Sequence, residues 1–223
     1  MRMPAAGTLF GRTVPVLFGI AALTVLLTGA PARAAEDGAA LAVAFGCAEC
    51  HGADGIGVAP GYPNLAGQDK RYLKEQLTRF RAPAPGQLAL NWSAYRFDHV
   101  MGPKARPLGD ADVERLAAHF SGLDCSVPRA ADTAPQPKMA ARCLGCHGED
   151  AVKNSLAAVP SLFGQKAPYL ERQLQLFRAT AHRQTGASDK SRRFHPAMDL
   201  EAGVLDSDSI TALAMFFSGR GCR

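Results

Sequence analysis

Cys47-Ala-Glu-Cys50-His51 recurs as Cys143-Leu-Gly-Cys146-His147. Two thiols separated by two residues, with an imidazole directly after them, can each add to a vinyl group of one porphyrin and deliver the histidine to its iron. Cys-x-x-Cys alone also serves zinc sites and redox disulfides, so a single copy is a modest signal. Two copies in matching surroundings are a strong one. Cys47, Cys50, Cys143 and Cys146 are therefore candidates for attaching two covalently bound haem c groups, with His51 and His147 as ligands to their irons.

An iron held on one side by histidine needs a second ligand if it is to be closed. Met101 and Met198 are the methionines at equivalent places, 97 residues apart. Thioether sulfur is a soft ligand that favours ferrous iron and raises the potential. The alternative is that both are core methionines. His99 and His195 compete with them, being repeated at an offset of 96 and lying just before each Met. Bis-histidine ligation would give lower potentials. His119 has Phe216 at the matching place and reads as packing or surface, and His182 has no counterpart and reads as solvated.

The elements that must position these groups also repeat. Pro63-Asn-Leu-Ala-Gly-Gln68 returns as Pro160-Ser-Leu-Phe-Gly-Gln165, and Tyr72-Leu73 through Phe80-Arg81 returns as Tyr169-Leu170 through Phe177-Arg178, each at an offset of 97. One register spanning so much of the chain implies two similar domains. Val113, Leu116, Ala117 and Phe120, and in the second copy Ile210, Leu213, Ala214 and Phe217, recur at helical spacing and should face a core. Asp110, Asp206 and Ser207 suit the starts of those helices, Gly122 and Gly219 their ends. Further helices are expected through Tyr72–Phe80 and Tyr169–Phe177, with short ones through Leu41–Phe45 and Met139–Arg142. No run alternates convincingly as a strand, so the fold class is all-α with long loops. The boundaries read as a leader over 1–34, domains over 35–128 and 138–223, and a Pro-rich linker over 129–137.

Arg2 and Arg12, the apolar run from Val14 to Leu27 and Ala32-Arg-Ala34 form a cleavable signal peptide, and the run is short for a membrane span. Export to an oxidising compartment is expected, with cleavage near Ala34 and a mature protein that is soluble or membrane-peripheral. The formal charge of +5 falls once the leader is lost. What remains is a net acidic first half and a net basic second half, a dipole that could orient the molecule on charged partners. Nucleic acid is excluded as a partner: Lys190, Arg192 and Arg193 form one short cluster without interleaved aromatics, read as a solvated loop. Trp92 and Tyr95, in a stretch without close similarity to the second half, read as packing. Cys125 and Cys222 are left over once four thiols are spent. One disulfide joining the domains is the favoured reading in an oxidising compartment, against two free thiols or a bond to another protein.

The order Cys-x-x-Cys-His, Pro-x-Leu-x-Gly, then Met101 before Leu108 and Met198 before Leu205, resembles a class I cytochrome c domain. Two such domains in tandem resemble the dihaem cytochromes of the c-four class, over residues 36–222. The resemblance implies His/Met ligation at both irons and a second role for Pro63 and Pro160, whose carbonyls would orient the ligating histidines. It implies an electron carrier and not an enzyme, passing electrons from a quinol-oxidising cytochrome bc-type complex or a dehydrogenase to a terminal oxidase or other acceptor. A stable dihaem subunit of a periplasmic dehydrogenase is the alternative. A haem catalyst such as a thiosulfate-oxidising cytochrome would need an open iron, and a zinc protein would leave the repeated His and Met unexplained.

Overall fold

The computed structural model describes residues 30–81, 95–130, 134–148, 158–182 and 191–222. The expected leader up to residue 29, Trp92, the side chain of Tyr95 and Lys190 lie outside them, as do residues 131–133 of the expected linker.

The first half runs α1 (Ala30–Ala44), α2 (Ala48–His51), α3 (Lys70–Arg81), β1 (Tyr95–Asp98), α4 (Met101–Ala105) and α5 (Asp110–Gly122). The second runs α6 (Ala140–His147), α7 (Ala167–Ala181), β2 (Ser191–Phe194), α8 (Pro196–Gly203) and α9 (Ser207–Ser218). The apolar stripes build two separate cores. Leu73 and Phe80 of α3 meet Val113, Leu116, Ala117 and Phe120 of α5 with Ala42 of α1. Leu170 of α7 meets Ile210, Leu213, Ala214, Phe216 and Phe217 of α9 with Ala140 of α6. Leu116 and Leu213 are each 1% exposed. Such a side chain contributes about 2 kcal/mol by leaving water.

His119 packs within the first core, its ring 4.9 Å from that of Phe120. A side chain at Gly38 would place its Cβ 2.5 Å from the Cβ of His119, so α1 lies on α5 at a distance only glycine allows. His182 is exposed, with Nε2 bonded to the Gly203 carbonyl at 2.8 Å.

Caps end the helices with some departures from expectation. Asp206 accepts from the Ser209 amide at 2.7 Å as expected. At α5 the capping carboxylate is that of Asp112, which accepts from the Gly109 amide at 3.0 Å, while Asp110 pairs with Arg81 at 2.6 Å. Asp110 is the first helical residue, one position past the N-cap, so the reach back to the Gly109 amide falls to the third helical residue, Asp112.

The absence of strands is the expectation that fails. β1 and β2 pair antiparallel, Tyr95 opposite Phe194, Arg96 opposite Arg193, Phe97 opposite Arg192 and Asp98 opposite Ser191. Four residues are too few to show a period, and the ladder partner of each strand lies in the other half. The ladder pairs Arg96 with its own repeat equivalent, Arg193, and thus lies on a pseudo-twofold axis relating the halves. Cys125 and Cys222, also equivalents, are joined by a disulfide with Cα atoms 5.6 Å apart. That outcome matches the favoured reading of the surplus cysteines.

Around the same axis Gln68 grips the backbone of Ser161, donating to its carbonyl at 3.0 Å and accepting from its amide at 2.8 Å. Gln165 grips Asn64 reciprocally, both bonds at 2.8 Å. These buried backbone groups have no helix or sheet to satisfy them, and the glutamines of the opposite half do so instead.

Candidate functional site

The two Cys-His motifs sit on helices of different length but in one local geometry. Cys47 caps α2, which carries Cys50 and His51; α6 carries Cys143, Cys146 and His147. Residues three apart on a helix lie on one face, so each thiol pair projects together with its histidine one position further on. None of these four thiols is in a disulfide. Burial pushes the Cys47 and Cys143 thiols up from their ordinary range, which keeps them protonated and poor as free nucleophiles.

His51 and His147 are buried at 5% and 7% exposure. His51 Nδ1 lies 3.0 Å from the Pro63 carbonyl and His147 Nδ1 2.8 Å from that of Pro160. A carbonyl only accepts, so each Nδ1 carries the proton and each Nε2 presents a lone pair. Burial lowers both pKa values, more than the Pro carbonyls raise them, and holds the rings neutral. A buried, neutral imidazole oriented through Nδ1 is how proteins present a metal ligand. In the first half the edge of Tyr62 approaches the His51 ring, centroids 6.4 Å apart. Among the described residues no three His, Cys, Asp or Glu side chains converge to bind a metal ion, so the zinc alternative has no ligand set there.

Met101 opens α4 and Met198 lies in α8; both are half-buried. Asp98 Oδ1 accepts from the Met101 amide at 3.1 Å and from that of Val100 at 2.9 Å. His195 Nδ1 accepts from the Met198 amide at 3.4 Å. Asp98 and His195 are 97 residues apart, so they are the equivalents in the repeat and both set the start of the Met-bearing helix. The pairing of His99 with His195 at 96 is off register by one, and His99 is exposed. Asp199 is buried beside Met198, and desolvation pushes its carboxyl up to about 6.

Sequence reasoning missed a polar cluster between the halves. Arg96 donates to Gln76 at 2.8 Å, to Tyr169 at 2.8 Å and to Gln173 at 3.2 Å. Arg193 donates to Gln173 at 2.7 Å and to Tyr72 at 3.0 Å. Arg193 is buried, not the solvated loop residue its charged neighbours suggested. Arg96-Phe97 and Arg193-Phe194 stand at the 97-residue offset, and that match was the available signal.

Two helical lobes, each burying a proline-held histidine behind a Cys-x-x-Cys pair, define a tandem class I c-type cytochrome. The cytochrome c family profile matches residues 35–124. Cytochrome c4 of Stutzerimonas stutzeri is 37% identical over 168 residues, covering 70% of this chain and 79% of that one. A thiosulfate dehydrogenase electron acceptor of Stutzerimonas stutzeri strain A1501 is 30% identical over 223 residues, covering 91% of this chain and 94% of that one. The crystal structure of reduced recombinant cytochrome c4 from Pseudomonas stutzeri superposes with a TM-score of 0.64 at 32% identity, over 83% of this chain and 98% of that one.

The chain belongs to the cytochrome c4 family, dihaem c-type cytochromes that transfer electrons. Its cofactors are two covalently bound haem c groups, and it is an electron carrier. Among the described residues no helix is long and apolar enough to cross a membrane.

Proposed function

We propose that each half holds one haem through its own residues: Cys47, Cys50, His51 and Met101 in the first, Cys143, Cys146, His147 and Met198 in the second. The reading is carried by His51 and His147, both buried, neutral and turned by a proline carbonyl so that Nε2 alone is free. Pro63 and Pro160 fix the tautomer and raise the basicity of the ligating nitrogen. Asp98 and His195 fix the start of each Met-bearing helix, and His195 is thereby engaged as a cap. That favours methionine as the sixth ligand in both halves. Haem iron so enclosed supplies one-electron chemistry without an open coordination position. The chain's part is to exclude water, orient the ligands and hold two such centres across one interface.

The molecule works in the periplasm after cleavage of the leader near Ala34, with domains over 35–128 and 138–223 joined by 129–137. Its acceptor is a terminal oxidase or another cytochrome. The thiosulfate dehydrogenase electron acceptor among its relatives supports a periplasmic dehydrogenase as donor, over a quinol-oxidising complex.

Mass spectrometry with optical titration is the test. The mature protein should exceed its polypeptide mass by two haem groups and show a sulfur-to-iron band in the near infrared when ferric. Met101→Ala and Met198→Ala should each remove about half of that band, and an intact band in either variant excludes that methionine. For the donor, thiosulfate with purified thiosulfate dehydrogenase should reduce the protein in a stopped-flow cell; no reduction leaves the quinol-oxidising complex.

A further inference from the structure

Asp98 spends its two oxygens on different lobes. Oδ1 accepts from the amides of Val100 and Met101, which start α4. Oδ2 accepts from the Ser191 hydroxyl at 2.7 Å, and the Arg172 guanidinium donates to that hydroxyl at 2.6 Å and to Oδ2 at 3.5 Å. Ser191 and Arg172 belong to the second lobe, on β2 and α7, and Ser191 stands opposite Asp98 at the end of the ladder, 2% exposed. The hydroxyl has one proton; with that proton on Asp98, its lone pairs are left for Arg172, so the chain of bonds runs one way from Arg172 to the carboxylate. Donors to an ionised carboxylate make the stronger class of hydrogen bond. α4 needs such an anchor, because it has five residues, Gly102 and Pro103 among them, and is too short to be stable by its own helical bonds.

Met198 stands on a different footing. α8 has eight residues with Pro196 at its start, His195 accepts from the Met198 amide, and Asp199 accepts from the His195 amide at 3.2 Å, all within the second lobe. At the places equivalent to Ser191 and Arg172 the first lobe has Ala94, without a hydroxyl, and Glu75, of opposite charge and paired with Arg79. Neither can reproduce the contact, so it has no mirror image in the repeat.

We propose that Ser191 and Arg172 are positioning residues for Met101, acting through Asp98, so that the sulfur ligand of the first haem is held in place from the second lobe, whereas that of the second haem is held from within its own. This rests on Met101 and Met198 being the sulfur ligands. The first iron is then the one that gives up its methionine when the contact between the lobes loosens, and the second stays closed.

The test is an imidazole titration of the ferric holoprotein, read as loss of the sulfur-to-iron band, with Met198→Ala or Met101→Ala in the background so that the band reports one haem at a time. In the Met198→Ala background the band belongs to the first haem. There Ser191→Ala should tighten imidazole binding about tenfold, because a hydrogen bond to a charged group is lost. Arg172→Gln, at a half-exposed position, should tighten it about threefold. In the Met101→Ala background the same substitutions should leave the second haem within about twofold of its parent. A merely structural defect predicts the reverse, since both substituted residues belong to the second lobe. Unchanged binding at the first haem in both variants overturns the proposal, as does an equal or larger change at the second. If Ser191→Ala does not retain both haems, Arg172→Gln carries the test alone: a change of about threefold confined to the first haem supports the proposal, and no change there sinks it. The ligand reading fails separately and earlier, because a band left intact by Met101→Ala or Met198→Ala breaks it before any imidazole is added.

Discussion

The two halves reach one local architecture with different residues, and the differences mark what the architecture requires. The amide of Met101 is taken by Asp98 and that of Met198 by His195. A carboxylate and an imidazole share little beyond an acceptor atom at the right height, so the requirement is a fixed helix start and not a particular side chain. Where the halves meet, the residues hardly differ: Gln68 and Gln165, Tyr72 and Tyr169, Arg96 and Arg193. Each must satisfy a group on the partner lobe, and a change on one side would strand a buried polar atom on the other. The repeat has been free to drift within each lobe and held tightly across the axis.

The largest test of that contrast is the disulfide on the axis. Cys125→Ser with Cys222→Ser opens a loop of 97 residues. The chain-entropy account puts the loss at about 4.7 kcal/mol. Denaturant unfolding should show it, and the lobes, followed separately by the two haem spectra, should cease to unfold together. Coincident unfolding at an unchanged midpoint would mean that the glutamine and arginine contacts alone couple the halves.

The glycines beside that bond give a sharper comparison. Gly67 and Gly164 both have positive φ, 66° and 69°. A Cβ at Gly67 would meet Cys125 at an ordinary 3.4 Å, whereas one at Gly164 would stand 2.8 Å from both the amide nitrogen and Sγ of Cys222. Gly67→Ala should cost about 1 kcal/mol for the left-handed backbone alone, and Gly164→Ala about 2 kcal/mol or more because backbone must also move. Equal costs in a denaturation series would show that the C-terminal strand of the disulfide yields freely.

The same contrast explains what could be read from the amino-acid order. Val113, Leu116, Ala117 and Phe120 and their equivalents show a helical period because they all answer to one adjacent core, and both stripes are buried. The Cys-His motifs were legible because each lies within about one helical turn and recurs as a contiguous unit. Arg96 and Arg193 were hidden because what buries them is a partner far away in the chain, and a charged residue in a short polar run ordinarily signals solvent. Gln76 and Gln173 fell on the helical stripe and looked like ordinary helix residues, although their amides are spent on those arginines. His195 was paired with the wrong residue because a near-repeat at 96 masks the true one at 97, and a histidine does not look like the counterpart of an aspartate.

The smallest expected effect lies on the surface, where the halves differ most. Glu114 bridges Lys70 at 2.5 Å and Lys74 at 2.9 Å, and those bonds hold its carboxyl down at about 2. Thr211 stands at the equivalent place, with Ala167 and Glu171 in place of the lysines, so the second lobe has no such clamp. Because the folded pKa is depressed, the clamp's stability is fully present above the ordinary carboxyl value of 4.5 and is lost as pH falls toward 2. Glu114 is 42% exposed, and solvent screening cuts the benefit to about 0.5 kcal/mol. Glu114→Gln should therefore lower stability by that amount at pH 7 and low salt, by less in 1 M salt, and by nothing near pH 2, whereas substitutions at Thr211 should show no such dependence on salt or pH. A loss that persists at high salt would mean that the lysine stems cover apolar surface between α3 and α5, so that packing, and not charge, distinguishes this face of the first lobe from the second.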